Sequence, residues 1–368
     1  MRILLFGEYS NLHATLAQSF RRLGHNVTVI SDGDHWRNYR RDIDLTRHNE
    51  TCKIDGISLI LKLIFLLPRL RNFDVVQIIN PKFLPLKARF SRLLLKYLKR
   101  HNNIISMGCF GMDSIVLRRQ NEGCLEYSDT YSYGKRINDE YVSLIHSWLH
   151  DEEIHTTESA AMTANCLMAC LYEYYTVYNI EPYRSKLFYL PLPISIDQDA
   201  KPKSITFPIN VLVGVQRNRI AEKGIDQILP LLERFETEYP DKIKLQKVES
   251  VPFAEYKKLI AQADVIVDQL YSYTPAMNAL EAMKNGTIAI SGGEEDYYRF
   301  IGENELRPII NLRPFCNEEN YRILKSHLLD LNKLNQMSAQ SIEFIKKYHD
   351  SDLIARKYIE VYSSLCKK

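Results

Sequence analysis

The chain has 368 residues, of which 45% are apolar and 25% are charged, values typical of a globular protein. This length predicts about two domains, at roughly 100–200 residues each. The formal net charge of +3 is too small to indicate a nucleic-acid-binding protein.

The sequence lacks the features of a secreted, membrane-spanning or disulfide-bonded protein. No apolar run reaches the roughly 18 residues of a membrane span, and the start, "MRILLFGEYS", lacks the features of a signal peptide. The seven cysteines are scattered and never form a Cys-x-x-Cys pair, a pattern that favours reduced thiols over disulfides or a zinc site. We therefore expect a cytoplasmic protein.

The first half of the chain alternates strands and helices. "RILLFG" (2–7) has the composition of a buried strand, and "LHATLAQSFRRLG" (12–24) follows with apolar residues at helical spacing. Gly24 is suited to end this helix. Further strands are predicted at 26–31, 74–79, 103–108, 166–170 and 186–191. Strands separated by helices predict a parallel sheet.

The segment 57–101 is strongly basic, with ten Lys or Arg residues and one acid, Asp74. Within it, "PLKARFSRLLLKYLKRH" places apolar residues at helical spacing between basic ones, which predicts a basic amphipathic helix suited to an anionic membrane surface. A helix that covers the sheet and has a basic outer face fits equally well. RNA is disfavoured, because the segment lacks interleaved exposed aromatic residues. The predicted membrane or acceptor patch is Lys87, Arg89, Arg92 and Lys96.

After a polar, proline-containing stretch at 194–208, the alternation begins again. Strands are predicted at 209–215, 243–248, 264–270 and 287–291, and helices at 224–239, 252–263 and 275–284. We therefore expect an α/β protein with two doubly wound, Rossmann-like domains facing across a cleft. The expected divisions are a domain at 1–195, a linker at 196–207, a domain at 208–348 and a final helix at 349–368 that packs back on the first domain.

Arg217 and Lys223 lie on the loop after the first strand of the second domain, in "GVQRNRIAEKG". Ligands of such folds bind beyond the carboxyl ends of the strands. A guanidinium, an ammonium and the start of a helix together form a suitable diphosphate site. From spacing alone, a solvated basic loop is also compatible with these residues.

A second candidate follows the strand "DVIVDQL". Thr274 is a suitable N-cap and Pro275 a suitable first-turn residue, so a helix is predicted to start there. Glu281, further along the helix, is placed to accept two hydroxyls, although a surface glutamate is the more common role. The amides predicted to face an anionic ligand are those of Ala276, Met277 and Asn278.

In this order, the loop, the "AD" strand, the helix with "LEAM" and the "GG" loop resemble the second domain of GT-B nucleotide-sugar glycosyltransferases, most closely the retaining family 4 (group 1) type. "GHNVTVIS" (24–31) is similar to a stretch of that family's first domain. The resemblance implies that Arg217 and Lys223 hold the donor diphosphate. It also implies that Glu281 is the second acid of a Glu-(seven residues)-Glu motif that binds the ribose, and that the region from Glu249 to Pro252 lies near the base.

The sequence departs from the family pattern at three places. Tyr273 stands where the first acid of the motif is expected, near the transferred sugar. "FGMD" (110–113) has Phe110 in place of a histidine but keeps Asp113. The loop after the first strand keeps Gly7 and, in the helix that follows, His13.

The resemblance implies a metal-independent sugar transfer, with retention, from a nucleotide sugar to a glycan or lipid-linked acceptor in cell-surface polysaccharide synthesis. An inverting reaction would need a base, for which Asp113, Glu8 and His13 are candidates; each also fits a structural role. A nucleotide-sugar 2-epimerase and a non-catalytic nucleotide-sugar-binding protein are the alternatives. A dinucleotide-dependent oxidoreductase is disfavoured, because "GEYSNL" is not Gly-x-Gly-x-x-Gly.

Overall fold

The structure is a computed structural model that describes residues 1–34, 37–49, 51–136, 146–249, 251 and 253–366. Its strands are β1 (Arg2–Phe6), β2 (Asn26–Ser31), β3 (Ile43–Asp44), β4 (Val75–Ile78), β5 (Ile104–Cys109), β6 (Tyr131–Ser132), β7 (Lys135–Arg136), β8 (Cys166–Ala169), β9 (Leu187–Tyr189), β10 (Ile209–Val215), β11 (Ile243–Glu249), β12 (Val265–Val267), β13 (Ile288–Ile290) and β14 (Ile309–Ile310).

The α-helices are α1 (Leu12–Arg22), α2 (Lys53–Leu66), α3 (Ala88–His101), α4 (Ser114–Asn121), α5 (Asp151–Thr163), α6 (Tyr172–Tyr178), α7 (Ile220–Lys223), α8 (Ile225–Glu238), α9 (Phe253–Gln262), α10 (Met277–Met283), α11 (Glu295–Ile301), α12 (Asn317–Leu328), α13 (Leu331–Tyr348) and α14 (Ser351–Cys366). Within the described residues, no helix is long and apolar enough to cross a membrane.

The chain divides into two units. Unit 1 comprises Met1–Arg119, Leu144–Ser195 and Ser351–Lys368, and unit 2 comprises Gln120–Ser143 and Ile196–Asp350. Each unit is built on a parallel sheet flanked by helices. The predicted class, an α/β protein with two Rossmann-like domains, is confirmed.

Unit 1 contains a seven-stranded sheet in the order β3-β2-β1-β4-β5-β8-β9, and the paired strands are parallel. The interior strand β1 buries its apolar side chains completely, as the continuous run "ILLF" predicts. Helix α1 buries Leu12, Leu16 and Phe20, the apolar stripe of its sequence. Gly24 follows this helix with φ +83°, the left-handed conformation that a terminating glycine favours.

The last helix, α14, belongs to unit 1. Its Tyr362 donates a hydrogen bond to Oε1 of buried Gln77 on β4. At the start of α14, Ser351 N donates a 3.0 Å hydrogen bond to the carbonyl of Ile194. Asp352, the next residue, forms an ion pair with Arg22 of α1. Backbone and side-chain contacts therefore both hold the end of the chain on the first sheet.

Unit 2 contains a five-stranded parallel sheet in the order β11-β10-β12-β13-β14. The strands pair in register, with Val213 opposite Lys247 on one side and Val267 on the other. As a result, β10, β11, β12 and β13 all end at the same edge of the sheet. Ligands of open α/β sheets bind at this carboxyl edge.

The stretch predicted as a linker is anchored within unit 2. Lys203 N donates a 2.8 Å hydrogen bond to Ser338 Oγ, and Ile205 N donates a 2.9 Å bond to Asn335 Oδ1. Both acceptors lie on α13. Although its composition is polar, this stretch is therefore fixed to the second unit by hydrogen bonds from its backbone.

Residues 120–136 also belong to unit 2, although they precede its sheet by more than seventy positions in the sequence. They contain the two-stranded antiparallel sheet of β6 and β7 and the bridge between Tyr127 and Ser132. Neither this hairpin nor the short strands β3 and β14 follow from the strand patterns in the sequence.

Candidate active site

The loop after β10 is held against the end of β12. It contains a 3₁₀ turn (Arg217–Arg219) and α7, and it ends at Gly224. Gly224 has φ +69°, and a Cβ built on it would lie 2.5 Å from Leu270 Cβ, so a larger residue would clash there. Leu270 N donates a 2.8 Å hydrogen bond to the carbonyl of Lys223. The loop conformation therefore fixes where the Lys223 side chain starts.

Lys223 forms an ion pair with Asp268, with Nζ 3.4 Å from Oδ1. The Asp268 side chain is only 2% exposed and that of Lys223 16%. Asp268 also accepts hydrogen bonds from Asn278 Nδ2 (3.3 Å) and Ser291 Oγ (3.4 Å). One buried carboxylate thus links the ends of β12 and β13 with the Lys223 loop and α10.

Asp268 was not among the predicted site residues. The signal was present as the acid that ends the apolar run "DVIVD", at the carboxyl end of a buried strand. An ionised carboxylate at such a position requires a partner, because burying an unpaired charge is costly. Lys223 is that partner.

Arg217 lies at the outer side of the same edge. Its side chain is 83% exposed and pairs with Glu249, the last residue of β11. The two residues predicted to approach the diphosphate and the base therefore lie together. Of the remaining residues of that predicted base region, Ser250 and Pro252 lie outside the described residues.

Helix α10 begins at Met277, and the predicted N-cap at Thr274 is wrong. The cap position is Ala276, with extended backbone (φ −91°, ψ 179°) and no side-chain capping bond, whereas Thr274 is fully buried. Burial of the residues before the helix overrides the local capping preference of Thr-Pro. Leu280 N makes the first hydrogen bond back to Ala276 O, at 3.0 Å, so the amides of half-buried Met277 and Asn278 belong to the first turn, before the intrahelical bonds begin.

Glu281 lies one turn along α10 from Met277. Its carboxylate is 2.7 Å from Lys284 Nζ, and both side chains are partly exposed, at 31% and 23%. This pairing within one helix orients the carboxylate without burying it. Glu281 therefore remains able to accept hydrogen bonds from hydroxyl groups.

Tyr273 is buried, with 3% of its surface exposed. Its ring stacks on Tyr127, with centroids 4.6 Å apart and an angle of 24° between the planes. Its hydroxyl accepts a 3.1 Å hydrogen bond from the backbone amide of Glu126. Burial raises the pKa of the Tyr273 phenol, so this side chain is neutral at physiological pH. The tyrosine in place of the expected acid thus anchors residues 120–136 on unit 2.

The same segment contacts a second buried acid, Glu294, which follows the "GG" loop. Glu294 accepts hydrogen bonds from Tyr127 Oη (2.6 Å), Asn311 Nδ2 (2.8 Å) and Arg313 Nε (3.1 Å). Burial alone would raise the pKa of Glu294, but the bonds from Arg313, Tyr127 and Asn311 lower it below its usual value. Sequence reasoning missed this acid, because "GGEED" offers three consecutive carboxylates and no pattern that selects one.

In unit 1, Glu8 and His13 are buried at the start of α1. Glu8 accepts hydrogen bonds from the amides of His13 (3.1 Å) and Ala14 (2.8 Å), and burial raises its pKa to about 8. The His13 ring bonds the carbonyl of Gly7 through Nδ1 (2.7 Å) and Gln77 through Nε2 (3.1 Å). Burial lowers the pKa of His13 to about 3, so the ring is neutral.

Asp113 occupies the start of α4 in the same unit. Its Oδ1 accepts from the amides of Ile115 and Val116, each at 2.9 Å, and its Oδ2 accepts from Tyr178 Oη at 2.6 Å. The residue is fully buried, which raises its pKa to about 6. Asp113 therefore has a structural role, the alternative that the sequence left open, and caps the start of α4. Phe110 is also buried, and its ring lies edge-on to His13.

The predicted basic patch lies on α3. Its buried side includes Ala88, Leu94, Leu95 and Leu98, and its outer side carries the predicted cations. Lys87, Arg89 and Lys96 are exposed, while Arg92 is half-buried and donates to Thr156 Oγ1 of α5 at 3.2 Å. The helix thus covers the sheet with a basic outer face.

Within the ranges that the structure describes, no three His, Cys, Asp or Glu side chains form a group suited to a metal ion. The residues predicted to bind the donor, in contrast, converge at the carboxyl edge of the second sheet. Lys223 and Asn278 both contact Asp268, Arg217 pairs with Glu249, and Glu281 follows on α10. Tyr273 lies at the same sheet edge but is covered by residues 120–136.

No protein-family model and no curated protein matches the sequence. Among solved structures, sucrose-phosphate synthase from Thermosynechococcus elongatus is similar with a TM-score of 0.61 and 14% identity, over 100% of this chain and 99% of that one. Anabaena HepE in complex with UDP and glucose has a TM-score of 0.60 at 12% identity, over 99% and 100%. A Listeria monocytogenes protein assigned as a UDP-N-acetylglucosamine 2-epimerase has 0.53 at 11%, over 97% and 94%. The chain therefore has the GT-B fold that its motifs resemble.

Proposed function

We propose that this protein is a glycosyltransferase that moves a sugar from a nucleoside-diphosphate donor to a glycan or lipid-linked acceptor. We further propose that the transfer retains the configuration of the sugar carbon and needs no metal ion. It would take place in the cytoplasm, as a step of cell-surface polysaccharide synthesis. The observation that carries this proposal is the grouping of Lys223, Asp268 and Asn278 at the carboxyl edge of the second sheet, with Arg217 and Glu281 at the same edge.

The chemistry of such a transfer centres on the leaving group. When the bond between the sugar carbon and the phosphate oxygen breaks, negative charge develops on the β-phosphate. Lys223 provides a cation that Asp268 holds in place before substrate arrives, and preorganised charge of this kind is typically worth about 3 kcal/mol per donor. Arg217, being exposed, is free to exchange Glu249 for a phosphate oxygen.

The buried positions of the three candidate bases in unit 1 favour a retaining mechanism over an inverting one. In a retaining transfer the acceptor hydroxyl approaches from the face that the diphosphate leaves, so a phosphate oxygen is able to take the hydroxyl proton. An inverting transfer needs a side-chain base that reaches the acceptor. Glu8, His13 and Asp113 are buried and hydrogen-bonded to backbone amides or carbonyls, which favours a reaction that does not use them as bases.

A thermal-shift screen against UDP, GDP, ADP and their common sugars tests the donor assignment. A nucleotide that binds the folded state raises the melting temperature in proportion to the logarithm of its concentration over its Kd. We expect one base to raise the melting temperature of the native protein and of Lys258→Met, a variant at an exposed lysine of α9. Lys223→Met should lose that shift. No shift with any nucleotide, or an equal shift in Lys223→Met, would contradict the diphosphate site.

The likeness to the Listeria protein favours one second candidate, a nucleotide-sugar 2-epimerase. Incubation with the donor that the screen identifies separates the two activities. A transferase releases the nucleoside diphosphate as the sugar is transferred or slowly hydrolysed, whereas a reversible epimerase converts the donor into a new nucleotide sugar. Binding with neither product would instead indicate a non-catalytic nucleotide-sugar-binding protein.

A further inference from the structure

Helix α2 of unit 1 exposes an apolar face. Five of its large apolar side chains are more than half exposed: Ile54 (76%), Ile57 (58%), Leu61 (52%), Ile64 (54%) and Phe65 (81%). The opposite side of the helix buries Leu59, Leu63 and Leu66 in unit 1. Isolated exposed apolar residues are common, but a continuous apolar stripe of this kind marks an interaction surface.

The five side chains form one stripe. At about 100° of rotation per residue, they fall within roughly a quarter of the helix circumference, and the helix is about 21 Å long. Lys53 and Lys62, both exposed, lie on the two sides of this stripe. Exposed Arg69 and Arg71 follow the end of the helix. The acid of the helix, Asp55, is directed to the backbone, where it accepts a 2.9 Å hydrogen bond from Asn49 N.

The basic face of α3 adjoins the end of this stripe. Tyr97 of α3 donates a 2.7 Å hydrogen bond to the carbonyl of Leu67, the residue after α2, and accepts one from Arg71 Nε. On α3 itself the exposed large apolar side chain is Leu93, at 59%. The cations of the basic segment therefore lie mainly on α3, and the apolar side chains able to enter a membrane lie mainly on α2.

We propose that α2 is a membrane-docking helix that lies flat on an anionic lipid bilayer. Its apolar stripe enters the boundary between headgroups and acyl chains, and the flanking lysines extend to the phosphates, as long basic side chains do at interfaces. The cations of α3 and of the turn after α2 add attraction to anionic lipid. The inference does not depend on the proposed sugar transfer.

Charge distinguishes a bilayer from a second copy of the chain. A two-fold dimer formed through this stripe would bring the same surface of each copy together. Lys53, Lys62, Arg69 and Arg71 of one copy would then face the same four cations of the other, at a stripe whose single acid is already hydrogen-bonded. An anionic lipid surface instead complements every one of these charges.

Vesicle flotation tests the proposal with the full chain. We expect the native protein to float with vesicles of phosphatidylcholine and phosphatidylglycerol and to bind vesicles of phosphatidylcholine alone more weakly. The variant Leu61→Gln with Phe65→Gln should reduce the partition coefficient at least about tenfold, because two apolar side chains no longer leave water. The matched control, Met162→Gln with Phe315→Gln, changes exposed apolar residues elsewhere and should bind as the native protein does.

A fluorescence measurement gives an independent result. The native protein has two tryptophans of its own and serves as the reference. When phosphatidylglycerol vesicles are added, the emission of Phe65→Trp should shift to shorter wavelength by more than that of the native protein, because the added indole leaves water. Native-like melting of each variant establishes folding. The proposal is overturned by absence of vesicle binding, by equal binding of Leu61→Gln with Phe65→Gln, or by an unshifted Phe65→Trp spectrum. Light scattering that shows a native dimer and a monomeric Leu61→Gln with Phe65→Gln variant would assign the stripe to a second copy instead.

Discussion

The acids of the first unit and the charged residues of the second are used in different ways. Glu8 and Asp113 are buried and accept hydrogen bonds from backbone amides at the starts of α1 and α4. In unit 2, Lys223 and Arg217 pair with the side chains of Asp268 and Glu249 and keep some exposure. A carboxyl group bonded to amides stabilises a helix start, whereas a paired side-chain cation is able to exchange its partner for a ligand anion.

The residues of unit 1 that match a catalytic set by type are therefore not the residues whose charges are available to a ligand. His13, Asp113 and Gly7 lie at the carboxyl edge of the first sheet, where sequence reasoning placed candidate catalytic groups. Their hydrogen bonds are directed into unit 1. In unit 2, by contrast, the side chains of Lys223, Asn278 and Ser291 all contact Asp268. Each substitution below changes either the buried acids of unit 1 or the residues at the edge of the second sheet.

The largest expected effect is at Lys223. Lys223→Met should lower kcat/KM for sugar transfer by about 10²–10³-fold, because a preorganised cation at the leaving diphosphate is lost. Lys258→Met is the control and should retain native activity. If unpaired Asp268 destabilises the variant, the pair Lys223→Met with Asp268→Asn restores neutrality and should remain as inactive. Native-like activity in either variant would disprove the role of Lys223.

Tyr273 offers the next effect, on stability. Tyr273→Glu would bury a carboxylate against Tyr127 and near Glu294, so we expect unfolding free energy to fall by about 2–4 kcal/mol in chemical denaturation. Tyr273→Phe keeps the ring stack and loses the hydrogen bonds of the phenol, the one from Glu126 N among them, for which about 1 kcal/mol is expected. If Tyr273→Glu is as stable as the native protein and changes donor preference, the side chain faces the sugar and not residues 120–136.

Glu8 should impose a pH dependence on stability. Its pKa is raised from 4.5 to about 8 in the folded state, so its stabilising contribution is complete below pH 4.5 and is lost as pH rises through 8. Between about pH 7 and 8 the unfolding free energy should fall with a slope of up to about 1.4 kcal/mol per pH unit. Glu8→Gln should flatten that slope, and Glu343→Gln, at an exposed acid of α13, should not. A slope unchanged in Glu8→Gln would contradict a protonated Glu8.

The smallest expected effect is at Glu281. Glu281→Gln keeps the shape of the side chain but weakens hydrogen bonds from ribose hydroxyls, so KM for the donor should rise by about tenfold with little change in kcat. Glu343→Gln is again the control. A fall in kcat without a change in KM would place Glu281 at the reacting centre and not at the ribose.

The alternation of the longer strands and helices in both units was predictable from the sequence, because buried parallel strands are short apolar runs. "INVLVGV" forms β10 over the predicted residues, and the predicted helix at 224–239 is observed at Ile225–Glu238 despite Pro230 within it. The loop that carries Arg217 and Lys223 follows directly from that order. Its position at the edge of the sheet could therefore be predicted.

What the sequence could not predict depends on contacts between distant segments. The start of α10 shifted from Thr274 to Met277 because the preceding residues are buried, which no local capping rule detects. The position of residues 120–136 on unit 2 depends on Tyr127, more than 140 residues from its stacking partner. Asp268 and Glu294 were missed because their significance comes from their partners and not from their sequence neighbours.

Residues 120–136 are synthesised before the part of unit 2 on which they pack. These residues leave the ribosome well before Tyr273, Glu294 and Arg313, the side chains that receive them. The second unit is therefore discontinuous in the gene. A fragment expressed from residue 196 to 350 would lack Tyr127 and expose the Tyr273 ring to water, so adding a peptide of residues 120–136 should raise its melting temperature.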